Sequence, residues 1–163
     1  MSPAFIDTNA LVYADQVHSA FHLQARAVLA RLEQDGAKLW ISRQVLREYL
    51  ATVTRPGPAG VPAMTRAMAA TAVEGFIGAY QIAEEGPQTT ARLLDLVRTI
   101  PMGGKQVHDA NIAATMLVHG IRRLLTFNVA DFQGSFTQRY VKRQGTAEGF
   151  PVYDRSPLIR LRG

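Results

Sequence analysis

The sequence predicts an α/β fold in which a parallel sheet is covered by helices on both faces. Short apolar runs, the expected strands, alternate along the chain with longer segments in which apolar residues recur at helical spacing. Such alternation favours right-handed strand–helix–strand units, which build parallel sheets. The 163 residues are enough for one domain with its own core, so we expect a single domain over residues 1–163.

The amino-terminal part of the chain contains two expected strands separated by a helix. The apolar run at residues 4–6 stops abruptly at Asp7, which is typical of a buried strand that carries polar residues at its carboxyl end. Apolar residues at helical spacing predict a helix within residues 19–35, with Gly36 as its stop. Residues 38–41 are a second apolar run and the second expected strand.

The middle of the chain predicts two further helices and a short strand. Ser42 can cap a helix whose apolar stripe continues until Pro56 breaks it, and Glu48 lies beside that stripe. Pro62 is well placed to open the next helix, because proline suits the first helical position. Residues 80–83 are the third expected strand.

The carboxyl-terminal part predicts two more helices and two strands. Thr89 or Thr90 can start a helix that ends before the next proline, and a second helix is expected over residues 107–119. The expected strands of this part are a buried one at residues 124–127 and an edge strand at residues 150–153.

Three carboxylates on these elements form the candidate site. Asp7 ends a strand, Glu48 is carried on a helix, and Asp109 lies in the first turn of another helix. Sites in open α/β sheets form beyond the carboxyl ends of the strands, so we expect the three acids to meet at one edge. Carboxylates held close together repel by about 4 kcal/mol per pair at an effective dielectric of about 20, so a cluster favours a bound cation. Oxygen ligands suit Mg²⁺ or Mn²⁺, and such ions support phosphodiester hydrolysis.

Each of these acids also has a structural interpretation that needs no function. Asp7 can cap a helix after the strand, and the helix dipole alone favours Asp109 in a first turn. Most helix glutamates, such as Glu48, are simply solvated. His108 and Lys105 can contact a substrate or lie on the surface, and both interpretations stay open. The functional hypothesis therefore depends on the combination of acids.

Short motifs surround the three acids in a fixed order. They are FIDTNAL at residues 5–11, SRQVLRE at residues 42–48, HDANIAA at residues 108–114 and LTFNVADF at residues 125–132. Together they resemble the PIN-domain family, particularly its VapC-type toxins. The resemblance covers most of the chain, from residue 4 to residue 132, and its specificity comes from the ordered coincidence of the motifs.

The resemblance implies a PIN-like three-layer α/β/α sandwich with a central parallel sheet. It also implies dependence on Mg²⁺ or Mn²⁺ and hydrolysis of single-stranded or structured RNA. The implied catalytic and metal-binding acids are Asp7, Glu48 and Asp109, and the implied supporting residues are Thr8, Asn9 and Thr126.

The family often has a fourth acid after the last of these motif-bearing strands. Here Asn128 stands at the usual position, with Asp131 three residues further on. The amide of Asn128 can hold a water on a metal, whereas Asp131 can cap the following turn. One metal ion and two metal ions therefore remain alternatives.

Charge and resemblance together indicate the partners. The net charge is +5, and a basic C-terminal extension from about residue 139 contributes +4 of it, with six basic and two acidic side chains. Such a segment can bind a polyanion or only aid solubility. VapC-type toxins usually pair with a small antitoxin protein and commonly form homodimers, and the resemblance implies both for this chain, with RNA as the substrate.

Composition excludes other classes of protein. The chain has no cysteine, which rules out disulfides, thiolate zinc sites and a cysteine nucleophile. The first residues lack a basic segment and soon reach Asp7, so we expect no secretory signal, no membrane association and a cytoplasmic location.

The expected function is that of a metal-dependent endoribonuclease, the toxin of a toxin–antitoxin pair. The alternative is a non-catalytic RNA-binding or interaction module on a PIN-like fold, which Asn128 and the basic extension keep open. A phosphoryl-transfer protein with an aspartyl-phosphate is disfavoured, because Asp7 is followed by Asn9 rather than by a second Asp, and no well-placed lysine completes such a site.

Overall fold

The computed structural model describes the side chains of residues 2–128 and the backbone of two later segments, residues 141–143 and 158–161. Strands and helices alternate as the sequence predicts. The described strands are β1 (Ala4–Ile6), β2 (Leu39–Ser42), β3 (Gln81–Ala83), β4 (Arg123–Leu125), β5 (Val141–Arg143) and β6 (Leu158–Leu161). The described helices are α1 (Thr8–Asp15), α2 (His22–Gln34), α3 (Arg43–Val53), α4 (Arg66–Ala79), α5 (Pro87–Thr99) and α6 (Gln106–Val118).

The strands form one sheet in the order β3-β2-β1-β4-β6-β5. The first four pair in parallel, with Phe5 of β1 opposite Trp40 on one side and opposite Leu124 on the other. β6 joins β4 in antiparallel orientation, and β5 pairs with β6. The predicted α/β fold with a central parallel sheet is confirmed, and the two antiparallel strands are an addition that the polar sequence after residue 133 did not reveal.

The strand order creates a topological switch point between β1 and β4. The chain moves from β1 to β2 to β3 in one direction and then returns past β1 to add β4 on its other side. Because such crossovers are right-handed, α1–α4 lie on one face of the sheet, and α5 and α6 lie on the other. α1 packs on α2 and α3, and α5 packs on α6. A crevice is therefore expected beyond the carboxyl ends of β1 and β4, between the helices of the two faces.

Two helix starts differ from the sequence predictions, and one helix was not predicted. The helix expected to open at Pro62 begins at Arg66, because Thr65 supplies the cap and Pro62 lies in a loop paired with Pro56. α5 begins at Pro87 rather than at Thr89 or Thr90. The helix Thr8–Asp15 was not predicted, since this segment is apolar almost throughout and has little helical periodicity.

The core lies against both sides of β1. All three residues of this strand are fully buried, as the sequence predicts for a central strand. Ser42 caps α3 through a hydrogen bond from the amide of Val45 to its hydroxyl, which fixes where this helix leaves β2. Along the described segments, no helix is long and apolar enough to cross a membrane. The edge strand expected at residues 150–153 lies outside the described residues.

Candidate metal-binding active site

Asp7 and Thr126 stand side by side at the switch point. The two residues follow β1 and β4 directly, and the amide of Asp7 donates to the carbonyl of Leu125 at 2.9 Å, which extends the pairing of these strands by one step. Asp7 is also the N-cap of α1, so the structural interpretation of this residue holds. The same geometry leaves its carboxylate at the crevice, where the functional hypothesis requires it.

The carboxylate of Asp7 is held by three donors in a buried position. Its Oδ1 accepts from the amide of Thr8 at 2.7 Å, and its Oδ2 accepts from Asn9 Nδ2 at 2.7 Å and from Thr126 Oγ1 at 2.6 Å. Burial raises its pKa from 3.8 to about 6; the charge of Glu48 acts in the same direction, and the three hydrogen bonds oppose the rise. Burial therefore destabilises the ionised form of Asp7, and a bound cation would stabilise it.

Asn9 and Thr126 tie the ends of β1 and β4 together. Asn9 Nδ2 donates to Thr126 Oγ1 at 3.1 Å, and the amide of Phe127 donates to Asn9 Oδ1 at 2.8 Å. Thr126 Oγ1 also accepts from the backbone amide of Asn128 at 3.1 Å. The hydroxyl of Thr126 thus uses its one proton on Asp7 and accepts from two other groups, which fixes its orientation.

Glu48 is linked to Asp7 through Thr8. The amide of Thr8 donates to Asp7, and its hydroxyl donates to Glu48 Oε2 at 2.9 Å. The other oxygen of Glu48 accepts from Gln44 Nε2 at 2.7 Å. Glu48 is half-buried and lies beside the apolar stripe of α3, as its sequence position predicts.

Asp109 lies in the first turn of α6. It is half-buried and lines the same cavity as Asp7 and Glu48. The cavity has a volume of about 500 Å³. Its wall consists of Asp7, Thr8, Asn9, Val12, Tyr13, Glu48, Ala51, Thr52, Arg55, Lys105, His108, Asp109 and Asn128.

The structure thus brings every described candidate residue except the fully buried Thr126 onto one cavity wall, and Thr126 lies directly behind Asp7. Asn128, which stands in place of a fourth acid, is exposed on this wall. Asp131 lies outside the described residues. Lys105 and His108, whose position the sequence left open, both face the cavity.

The donor atoms of the cavity suit a divalent ion in kind but do not form a closed cage. Within the described part of the chain, no three Asp, Glu or His side chains are grouped closely enough to hold an ion between them. Mg²⁺ rarely needs such a group, since it is commonly held by one or two carboxylates together with waters and substrate phosphates. Asp7, Glu48 and Asp109 on the wall of one open cavity fit that requirement.

Sequence reasoning missed Gln44 and Arg55. Gln44 lies four residues before Glu48 on α3, and residues with this spacing face each other on a helix, so the contact was predictable in principle. Arg55 lines the cavity from the loop after α3. No local pattern marks this arginine, because its place depends on how α3 packs against α1.

The protein is thus an α/β protein with an acidic cavity at the switch point of its parallel sheet. In open α/β sheets, this is the place where ligands bind. A family model of the PIN domain matches residues 4–133. The chain therefore belongs to the PIN domain family, and the resemblance seen in the sequence is confirmed. A search of curated proteins gives no significant match.

Solved structures with a similar fold include a toxin and a toxin–antitoxin complex, the latter from Klebsiella pneumoniae. VapC20 of Mycobacterium tuberculosis, a Sarcin-Ricin loop cleaving toxin, aligns with a TM-score of 0.60 and 17% identity over 78% of this chain and 92% of that chain. VapBC-1 of nontypeable Haemophilus influenzae aligns with a TM-score of 0.59 and 18% identity over 83% and 92%. VapBC2 of Rickettsia felis, bound to a DNA fragment from its promoter, gives 0.57 and 19% over 80% and 90%. At these identities the likeness establishes the fold.

Proposed function

We propose that the protein is a metal-dependent endoribonuclease and the toxin of a toxin–antitoxin pair. The observation that carries the proposal is the coupling of Asp7 and Glu48 through Thr8 in a cavity that Asp109 also lines. A buried aspartate with a raised pKa beside a second carboxylate is costly to keep without a cation. Membership of the PIN domain family is consistent with this interpretation.

The acids of the cavity would hold Mg²⁺ or Mn²⁺. Asp7, Glu48 and Asp109 are the proposed ligands, and a divalent ion bound there would supply charge neutralisation for the scissile phosphate and activation of water. Thr8, Asn9 and Thr126 keep the carboxylate of Asp7 in one orientation through the hydrogen bonds already described. The amide of Asn128 adds a neutral oxygen to the wall rather than a further charge.

RNA is the proposed substrate because the acidic cavity has a basic margin. Arg55 and Lys105 are exposed residues that line the cavity beside the acids, where they can contact phosphates on either side of the scissile bond. The basic C-terminal extension can add a less specific attraction to a polyanion. One of the structural relatives is a toxin that cleaves the sarcin–ricin loop, which supports a structured RNA target for this chain as well.

A small antitoxin is the proposed regulator, since one of the structural relatives is a toxin–antitoxin complex. An antitoxin arginine placed among Asp7, Glu48 and Asp109 would replace the cation and block the path of the substrate. A homodimer is proposed from the family resemblance, and exposed apolar side chains on α4 and α5 are available for such a contact. The proposed location is the cytoplasm, because the proposed substrate is cellular RNA and the proposed regulator is an antitoxin.

The test is cleavage of a mixed RNA pool by protein that has been freed of copurifying antitoxin by denaturation and refolding. Wild type is compared with Asp7→Asn and with the matched control Asp95→Asn, which changes an exposed aspartate on α5. Cleavage in Mg²⁺ or Mn²⁺ that disappears in EDTA and in Asp7→Asn, but persists in Asp95→Asn, is the expected result. Cleavage that survives in Asp7→Asn would contradict the assignment.

A second candidate function is that of a non-catalytic RNA-binding module. It is favoured by Asn128 in place of a fourth acid and by the lack of a closed cage of acidic ligands among the described residues. Folded protein that binds RNA with the same affinity in Mg²⁺ and in EDTA, without cleavage under any condition, would favour this second function.

A further inference from the structure

Gln44 is a buried polar residue whose hydrogen bonds connect the two acid-bearing helices. It lies in the first turn of α3 and is 5% exposed. Its Nε2 donates to Glu48 Oε1 at 2.7 Å and to the carbonyl of His108 at 3.1 Å, and its Oε1 accepts from Asn111 Nδ2 at 2.7 Å. The side chain thus contacts a proposed metal ligand on α3 and the backbone next to another, Asp109, on α6.

The side-chain amide of Gln44 has one favourable orientation. Both hydrogens of Nε2 are directed at oxygen acceptors, and Oε1 faces a donor. A flipped amide would place oxygen against the carboxylate of Glu48 and nitrogen against the amide of Asn111. Each reversed contact would leave a buried polar group unsatisfied, which costs about 1–3 kcal/mol. The orientation of Gln44 is therefore fixed by its surroundings.

Glu85 closes this arrangement into a ring. It lies after β3, where its Oε1 accepts from the backbone amide of Gln44 at 2.7 Å and its Oε2 accepts from Asn111 Nδ2 at 3.3 Å. Arg47 balances part of its charge at 3.6 Å. Gln44, Asn111 and Glu85 come from three separate segments of the chain, so their ring fixes the start of α3 relative to the start of α6.

We propose that Gln44 is a positioning residue for the metal site: it holds the carboxylate of Glu48 and sets the distance between the acids on α3 and α6. The inference rests on the proposed function, because it assumes that these acids bind a cation. Glu48 is half-buried and has three rotatable side-chain bonds, so its carboxylate is mobile unless it is held. Gln44 holds one of its oxygens and Thr8 holds the other.

The Gln44→Met variant tests this role. Methionine keeps the length and approximate volume of the side chain but removes the donors and the acceptor. The matched control is Gln34→Met, which makes the same change at an exposed position on α2 that does not line the cavity. The measured quantity is the Mn²⁺ dissociation constant of the protein without RNA, from the electron paramagnetic resonance signal of free Mn²⁺.

Residues that orient metal ligands typically contribute 10–100-fold to metal affinity. Gln44→Met is therefore expected to weaken Mn²⁺ binding at least about tenfold, while Gln34→Met leaves it unchanged. A purely structural role would lower the melting temperature of Gln44→Met and leave the Mn²⁺ affinity of the folded protein intact. An affinity within about twofold of wild type would overturn the proposal.

Asn111→Ala provides a second variant in case Gln44→Met does not fold. It removes the donor to Gln44 Oε1 but leaves the donation from Gln44 to Glu48. We expect a smaller loss of Mn²⁺ affinity, of a few-fold, and an unchanged affinity would contradict the proposed ring. If Gln44→Met folds, the double variant should lose less affinity than the product of the single losses. Multiplicative losses would show that the two residues act independently, which contradicts the proposed ring.

Wild type and Asp7→Asn in the same titration separate this inference from the proposed function. If wild type binds no Mn²⁺ in the cavity, the metal site fails and the role of Gln44 fails with it. If wild type binds Mn²⁺, Asp7→Asn does not, and Gln44→Met binds as well as wild type, only the role of Gln44 is overturned.

Discussion

The two sides of the cavity hold their acids in different ways. On the sheet side, Asp7 is 6% exposed and receives three hydrogen bonds from residues at the ends of β1 and β4. On the helix side, Glu48 and Asp109 are half-buried, and their helices are connected through Gln44. On the sheet side, burial disfavours the ionised form of Asp7. On the helix side, the acids are more exposed, and the proposed role of Gln44 sets their geometry.

Because of this difference, we expect the acids to contribute to metal binding in different ways. Burial raises the pKa of Asp7, so this residue couples metal binding to pH. Glu48 and Asp109 keep some exposed surface, and their contribution depends on where α3 and α6 place them. Changes on the sheet side should therefore alter affinity and pH dependence together, whereas changes on the helix side should alter affinity alone.

The largest expected effect comes from Asp7→Asn. We expect RNA cleavage to fall by more than about 100-fold, because even residues that only support a metal ligand are typically worth 10–100-fold. Asp95→Asn, on the surface of α5, should retain wild-type activity. The measurement is the initial rate of cleavage of a defined RNA in Mg²⁺.

The same substitution should change stability in a direction set by the raised pKa. Because the folded-state pKa of Asp7 is raised from 3.8 to about 6, its contribution to stability is present below pH 3.8 and is lost as pH rises through about 6. Wild type should therefore lose up to about 3 kcal/mol relative to Asp7→Asn between pH 4 and pH 7. Urea unfolding in EDTA at several pH values measures the difference, and a difference that does not vary with pH would contradict the burial argument.

The second expected effect is a proton-coupled metal affinity. Since Asp7 must be ionised to bind a cation, the Mn²⁺ affinity of wild type should fall about tenfold for each pH unit below about 6 and should level off above it. Titration at pH 5.0, 6.0 and 7.5 gives the slope. An affinity that is constant over this range would show that Asp7 is not a ligand.

Thr126→Val should have an intermediate effect. It removes the hydroxyl that donates to Asp7 and accepts from Asn9 and from the amide of Asn128. Loss of these bonds in a fully buried position should lower the free energy of unfolding by about 1–3 kcal/mol. It should also raise the pKa of Asp7 further, because this hydrogen bond favours the ionised form.

Thr89→Val is the matched control for that substitution. Thr89 is 2% exposed, and its hydroxyl has no hydrogen-bond partner among the described residues. Its replacement should leave stability unchanged or raise it, and should leave the pH dependence of Mn²⁺ binding as in wild type. If Thr126→Val and Thr89→Val have the same stability and the same pH dependence of Mn²⁺ binding, the hydroxyl of Thr126 does not influence the ionisation of Asp7.

The smallest expected effect comes from the basic margin. Arg55→Gln and Lys105→Gln should each raise the KM for RNA a few-fold with little change in kcat. Each should also reduce the slope of log affinity against log salt by about 0.7, the value for one phosphate contact on a single strand. Arg98→Gln, on exposed α5, is the control. An unchanged salt slope in both cavity variants would place the RNA elsewhere.

The sequence was informative where a local pattern determines the structure. The buried run at residues 4–6 and the cap at Ser42 depend on neighbouring residues only, and both are present as predicted. Pro62 was misread because proline suits a turn as well as a helix start, and the capping residue is Thr65. α1 escaped detection because both the sheet and the other helices bury it, which removes the polar face that marks a surface helix.

The candidate site also has a part that the sequence predicts and a part that it does not. The general rule that sites form at a switch point led to the expectation of one shared edge, and Asp7, Glu48 and Asp109 line one cavity. Their role as metal ligands stays a prediction. The hydrogen bonds from Asn9 to Thr126 and from Gln44 to α6 join residues more than 60 positions apart in the sequence. Such contacts depend on the packing of whole elements, so no short motif encodes them.

Anomalous diffraction from a crystal soaked in Mn²⁺ is the most direct test of whether Asp7, Glu48 and Asp109 form a metal site. We expect a strong peak in the cavity, with oxygens of Asp7 and of Glu48 or Asp109 in direct coordination with it. The peak should be absent from crystals of Asp7→Asn. A fully occupied Mn²⁺ elsewhere on the protein, with the cavity empty, would contradict the assignment of these acids as the metal site.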